Sequence, residues 1–271
     1  MTTSVHTNSS ALIALQNLNK TNSKLATTQS RINTGLKVQG AKDNAATWAI
    51  AQNQRADMSS LDSVKSSLNR ATSIADVSLA AGAEISDIIV ELRQKATSAA
   101  DPSASAATKK AYNDEFQALL LSLDSFAKNA TFDGKNILDA SEANPLDFLA
   151  SADGQETVAL NPQDLTLTGL TLDGLDLEAD PAAALTAVEA ALATSNERLA
   201  ELGAQAKQIE KHNVFVGKLM DSLEVGVGNM VDADLAKESA RLQALQVQQQ
   251  LGAQALSIAN QSPQIILSLF Q

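Results

Sequence analysis

The stretch Val231–Gln271, VDADLAKESARLQALQVQQQLGAQALSIANQSPQIILSLFQ, decides how the rest of the chain is read. Its apolar residues recur at helical spacing. Plotted at about 100° per residue, Leu235, Leu242, Leu245 and Leu256 form one stripe, and Ala244, Val247, Leu251, Ala255 and Ile258 form a second beside it. One partner helix cannot cover both stripes. A helix this broadly apolar needs several neighbours, either from its own chain or from other copies of the molecule.

Working outward, a heptad seam runs up to this helix. From Asp180-Pro181, an acidic cap followed by a proline suited to the first helical turn, positions 185, 188, 192, 195, 199, 202, 206, 209, 213, 216, 220, 223, 227 and 230 read Leu, Val, Leu, Ser, Leu, Leu, Ala, Ile, Asn, Val, Met, Leu, Val, Met. The seam then stops. Asp234 and Lys237 occupy its next two positions, and a new register starts at Leu235, so the last helix is a separate unit. A second seam lies between Asn44 and Ala99, at 61, 64, 68, 71, 75, 78, 82, 85, 89 and 92, reading Leu, Val, Leu, Ala, Ala, Ser, Gly, Ile, Ile, Leu. At about 1.5 Å per residue that helix is on the order of 80 Å long, which predicts an elongated rod.

At the other end, Asn8, Ser9 and Ser10 predict a cap for a helix from about Ala11. Positions 11, 15, 18, 22, 25, 29 and 32 read Ala, Leu, Leu, Asn, Leu, Gln, Ile, a heptad with Asn22 and Gln29 as register-fixing polar members. Asp101-Pro102 predicts a further helix over 102–128 with Tyr112, Phe116, Leu119, Leu120, Leu123 and Phe126 on its core face. Residues 139–180 change character, and two or three short strands are expected there. Asp173-Gly174 is expected to turn a hairpin between Leu170-Thr171-Leu172 and Leu175-Asp176-Leu177. The expected architecture is mainly α, a rod of long coiled-coil helices with a small β insert.

Composition excludes several functions. A net charge of −11 makes nucleic acid and anionic membrane surfaces poor partners. The absence of cysteine removes disulfides and thiolate chemistry. No run approaches a membrane span, and the N-terminus lacks the basic start and apolar core of a secretory signal. His6 and His212 are the only histidines and lack acidic partners at ligand spacing. Asp232 and Asp234 read as caps for the last helix. No nucleophile elbow, P-loop or dinucleotide fingerprint is present, so no enzyme, cofactor or metal is expected.

The two ends resemble bacterial flagellin. At the start the resemblance rests on Thr7-Asn8, the ALIALQNLN run, Arg31-Ile32, Gly35-Leu36, Ala41-Lys42-Asp43 and Ala49-Ile50-Ala51. At the end it rests on Asp232-Ala233-Asp234, Gln248-Gln249-Gln250 with Gly252, Ala259-Asn260-Gln261, Pro263 and Leu267-Ser268-Leu269, and Phe132-Asp133-Gly134-Lys135 resembles a turn of the family's rod. The resemblance implies that residues 1–40 and 236–271 pair as an inner coiled coil, conventionally the D0 layer. Residues 41–235 would form the D1 rod, with helices at about 44–99, 102–128 and 181–230 and a β insert at about 139–180.

It further implies a secreted, extracellular filament subunit for motility, exported through the flagellar type III apparatus and polymerising with its own copies. An export chaperone and hook-associated junction and cap proteins would be its other partners. Leu15, Leu18, Leu25 and Ile32 are the expected assembly contacts of the first helix. Those of the last are Leu242, Leu245, Val247, Leu251, Leu256, Ile258, Ile265, Leu267, Leu269 and Phe270. Leu92 and Arg93 resemble a rod surface read by an innate immune receptor in animals, or else contact a neighbouring subunit. Thr166, Thr168 and Thr171 lie where family members are often O-glycosylated. Two other readings compete: a hook–filament junction protein, and a signalling coiled-coil rod, against which the β insert and the lack of a membrane span argue.

Overall fold

The computed structural model describes residues 7 to 268, with the side chains of residues 7 to 261. The chain is mostly helical. Five helices, α1 (Ser9–Thr34), α2 (Ala45–Ala99), α3 (Ala106–Asn129), α4 (Pro181–Val231) and α5 (Leu235–Ser268), accompany one two-stranded antiparallel sheet of β1 (Leu146–Leu149) and β2 (Thr157–Leu160). It divides into two compact units. One comprises residues up to Ala56 together with Leu223 onward, and the other is Asp57–Ser222.

In the first unit α1 and α5 lie antiparallel. The Asn8 side chain caps α1 by accepting from the Ala11 N–H at 3.0 Å, and Gly35 closes it in the left-handed region at φ 73°. The covered face of α1 is Ala11, Ala14, Leu18, Thr21, Leu25, Thr28 and Ile32. Four of the seven expected seam positions are therefore right, and Leu15, Asn22 and Gln29 are each one residue out. Those three are exposed, while Ala14, Thr21 and Thr28 point inward. After α1 the chain forms a short strap. The Ala233 N–H donates to Gly35 O and the Lys37 N–H to Val231 O, both at 2.7 Å, which seats residues 35–38 beside the α4–α5 junction.

In the second unit α2 and α4 supply the core. All ten expected seam positions of α2 are buried, and none of those on α4 between Leu185 and Met220 is exposed. Gly82 marks the closest approach, because a Cβ there would sit 2.2 Å from Leu199 Cδ2. α3 packs with Phe116, Leu120, Leu123 and Ala127 buried, whereas Phe126, expected in the core, is exposed. The helix also starts later than Pro102. Asp101 spends its carboxylate on the Ser103 N–H in a local turn at 2.8 Å, and Ser105 caps the helix by accepting from Thr108 N at 3.2 Å.

The β insert lies within 139–180, and its one hairpin is formed by residues 146–160 and not by 170–177. The hairpin pairs Leu146 with Leu160 and Phe148 with Val158, closed by the Ala150 N–H donating to Glu156 O at 2.9 Å. Residues 165–177 are not strands. Leu170 N–H donates to Thr166 O and Leu172 N–H to Leu167 O, so the backbone coils, and Thr171 at φ 56° breaks any extended run. Coiling puts Leu165, Leu170, Leu172 and Leu177 inside. Asp173-Gly174 is a turn within this coil and joins no hairpin. Gly169 is required for the coiling, because a Cβ on it would meet the Asp164 carboxylate at 2.3 Å.

Candidate assembly surface

The two apolar stripes of α5 have different fates. The seam toward α1 is Glu238, Leu242, Leu245, Gln249, Gly252, Leu256 and Ala259, a 4-3-4-3 spacing that contains most of the first stripe. Leu245 is the most covered apolar member, at 5% exposure, and Gly252 admits Leu18, whose Cδ1 lies 3.2 Å from where a Cβ would be. Leu235 was expected in this stripe but is half exposed, since it stands in the first turn of α5, before the seam begins. The second stripe faces outward. Val247, Leu251 and Ile258 keep 55%, 64% and 63% of their surface exposed, and Ala244 and Ala255 are exposed between them.

α1 adds to the outward apolar surface through Leu12, Ile13 and Leu15. Of the expected contacts, Leu18, Leu25, Ile32, Leu242, Leu245 and Leu256 thus serve the α1–α5 seam, and Leu15, Val247, Leu251 and Ile258 are free. Ile265 and Leu267 lie on α5 but their side chains fall outside the described residues, as do Leu269 and Phe270 entirely. The sequence reading missed Leu12 and Ile13. Their signal was present as an apolar pair beside the seam, a surplus that intrachain pairing cannot use.

Polar contacts fix the register of the pair. The Asn8 amide donates to Ala259 O at 2.7 Å, and Gln249 donates to Asn22 Oδ1 at 2.8 Å. Arg31 Nη1 meets Glu238 Oε1 at 3.2 Å, with the acid only 11% exposed, and Glu238 Oε2 is buried with no hydrogen-bond partner among the described residues. Asp234 caps α5, accepting from the Ala236 and Lys237 N–H groups at 3.0 and 3.1 Å.

The remaining singled-out residues are structural in their settings. His212 Nε2 donates to Ala150 O at 2.8 Å and its ring lies 5.9 Å from Phe215. No group of three His, Asp or Glu side chains is placed to hold a metal among the described residues. Leu92, grouped with Arg93 as a surface residue, is instead fully buried as a seam member. Arg93 is exposed and pairs with Glu189 at 3.1 Å, and the neighbouring Lys95 pairs with Glu115, whose hydrogen bond holds the Lys95 pKa above its ordinary value. Thr166 is buried and donates to Asp164 Oδ1 at 2.6 Å. Thr168 and Thr171 are exposed, with the Thr168 hydroxyl donating to Asp173 at 2.7 Å. No helix among the described residues is long and apolar enough to cross a membrane.

Family comparisons agree with this arrangement. Residues 5–143 match the bacterial flagellin N-terminal helical region, and residues 185–270 match the bacterial flagellin C-terminal helical region. The chain is 49% identical to flagellin FljK of Caulobacter vibrioides, over 99% of this chain and 98% of that one. It is 39% identical to a flagellin of Brucella melitensis and 36% identical to flagellin C of Rhizobium meliloti, each over 99% of both chains. The chain belongs to the bacterial flagellin family, and its role is structural, as a subunit that polymerises with other flagellin copies into the flagellar filament of motility.

Proposed function

We propose that the outward stripe of Val247, Leu251 and Ile258, together with the exposed Leu12, Ile13 and Leu15 of α1, is where neighbouring copies bury the terminal helices. The observation that carries this reading is the division of α5 into one covered and one uncovered apolar face. An apolar face with no partner in its own chain is expensive to leave in water. Residues 1–40 and 236–271 form the inner layer of the filament, and 41–235 the outer. The helices gain little from pairing with each other alone, so their final folding is coupled to assembly.

The subunit reaches the outside through the flagellar type III route with an export chaperone, and meets hook-associated junction and cap proteins at the ends of the filament. Exposure makes Thr168 and Thr171 better acceptors for O-glycosylation than the buried Thr166, and Arg93 is available to an immune receptor or to a neighbouring copy once released from Glu189. Limited proteolysis with mass mapping tests the coupling. Cleavage of both terminal segments in the dilute subunit, with protection after growth on filament fragments, is the expected result. Equal resistance in the dilute subunit overturns it.

A further inference from the structure

Two charged faces in the second unit form no ion pair among the described residues. From Ala71 to Leu92 no Lys or Arg occurs, and Asp76, Glu84, Asp87 and Glu91 fall with Val90 within about 120° of α2, by the 100° step of a helix. All five are exposed, and none of the four acids forms an ion pair among the described residues. On α4, Lys207, Lys211 and Lys218 share a face with Val214 and Phe215, again exposed and with no ion pair for the lysines among the described residues, and the exposed Asp221 stands at its edge. A molecule of net charge −11 has thus gathered three lysines around an exposed valine and phenylalanine. The acidic face carries the complementary charge around a single exposed valine.

We propose that the Lys207–Lys218 face of α4 in one copy docks on the Asp76–Glu91 face of α2 in the next. This rests on the filament reading above and names one of its lateral contacts. The apolar pairs Val90 with Val214 and Phe215 supply burial, and the rows of opposite charge set orientation and register. The two faces lie at different levels along the helices. Asn213 donates to Asn69 at 2.7 Å and Gly82 abuts Leu199, so α2 and α4 run antiparallel with those residues level. The acidic face therefore lies level with the stretch of α4 around 190–205, short of the basic face. At about 1.5 Å per residue the two faces are offset along the helices by about 20 Å. Used head to tail, each added copy is displaced by the same step and the pairing gives an open polymer.

Charge reversal tests the pairing. Filaments of wild type, of K211E/K218E, of D87K/E91K and of the fourfold combination are nucleated with a kosmotropic salt and dialysed into low-salt buffer. The soluble subunit that remains gives the critical concentration. Each double variant is expected to raise it by on the order of tenfold, since attractive pairs become repulsive ones, and the fourfold variant to restore it. Thermal melting of the soluble subunits checks that the second unit still folds; K211Q/K218Q, expected to give a smaller rise that disappears at high salt, replaces any variant that melts early. If wild type polymerises while either double variant does so at an unchanged critical concentration, or the fourfold variant is no better than the doubles, the pairing is overturned. Failure of wild type itself to polymerise would instead overturn the filament reading.

Discussion

Replacing Leu251 with alanine separates the two faces of α5. Leu251 keeps 64% of its surface in water, so truncating it should change the stability of the free subunit by no more than about 0.5 kcal/mol, as for ordinary surface substitutions. On the proposed reading, the same side chain is covered by neighbours in the filament. Fully burying a leucine contributes about 1.5–3 kcal/mol, of which roughly two thirds is still to be gained on assembly, or about 1–2 kcal/mol. Since about 1.4 kcal/mol is a factor of ten in an equilibrium constant, the critical concentration should rise about five- to thirtyfold. Alanine also keeps the helix propensity, so the loss cannot be assigned to fraying. The assay is the soluble subunit left at equilibrium after elongation from filament fragments, with far-UV melting of the subunit in parallel. An unchanged critical concentration would show that the outward stripe stays exposed in the filament, and an early-melting subunit would show that Leu251 belongs to an intrachain core. Either result refutes the reasoning.

Other substitutions probe the supporting structure. Gly169→Ala places a Cβ against the Asp164 carboxylate and should destabilise the second unit by about 1–3 kcal/mol, seen as a fall of several degrees in melting temperature. Arg31→Ala leaves the Glu238 carboxylate without its one partner in a mostly covered site; allowing for the part-exposed arginine, the cost is about 1–3 kcal/mol. Adding Glu238→Leu should recover much of that, with hydrogen exchange of α1 and α5 in the filament as the readout. The Ser151 hydroxyl and then the Gln155 N–H bond the Asp153 carboxylate and lower its pKa. A carboxylate depressed in the folded state stabilises above its unfolded pKa and loses that contribution as pH falls through the folded one. The β1–β2 loop should therefore loosen on the acid side, and titration of the Asp153 carboxyl carbon by NMR should give a midpoint below the ordinary aspartate value. Asp153→Asn should remove that acid sensitivity.

The long seams of α2 and α4 were legible because each keeps one heptad register over many turns, and a sustained register shows as a single period. The coiled segment 165–177 was not, because its leucines come in pairs two residues apart, as in short strands, at 165/167, 170/172 and 175/177, while turns at Gly169, Thr171 and Gly174 decide where they point. Local hydrogen bonds outweighed alternation there. The misreading of α1 has a different cause. Apolar bulk at Leu15 drew the seam outward by one residue, yet the inward positions belong to Ala14, Thr21 and Thr28. Small side chains there suit close approach to a helix that carries Gly252 in its own seam. The larger residues Leu12, Ile13 and Leu15 are left on the outside, which would be a defect in a protein that worked alone. On the proposed reading the rule that apolar residues mark the inside holds only for the finished polymer, and the one-residue slip in α1 follows from apolar surface that other copies would cover.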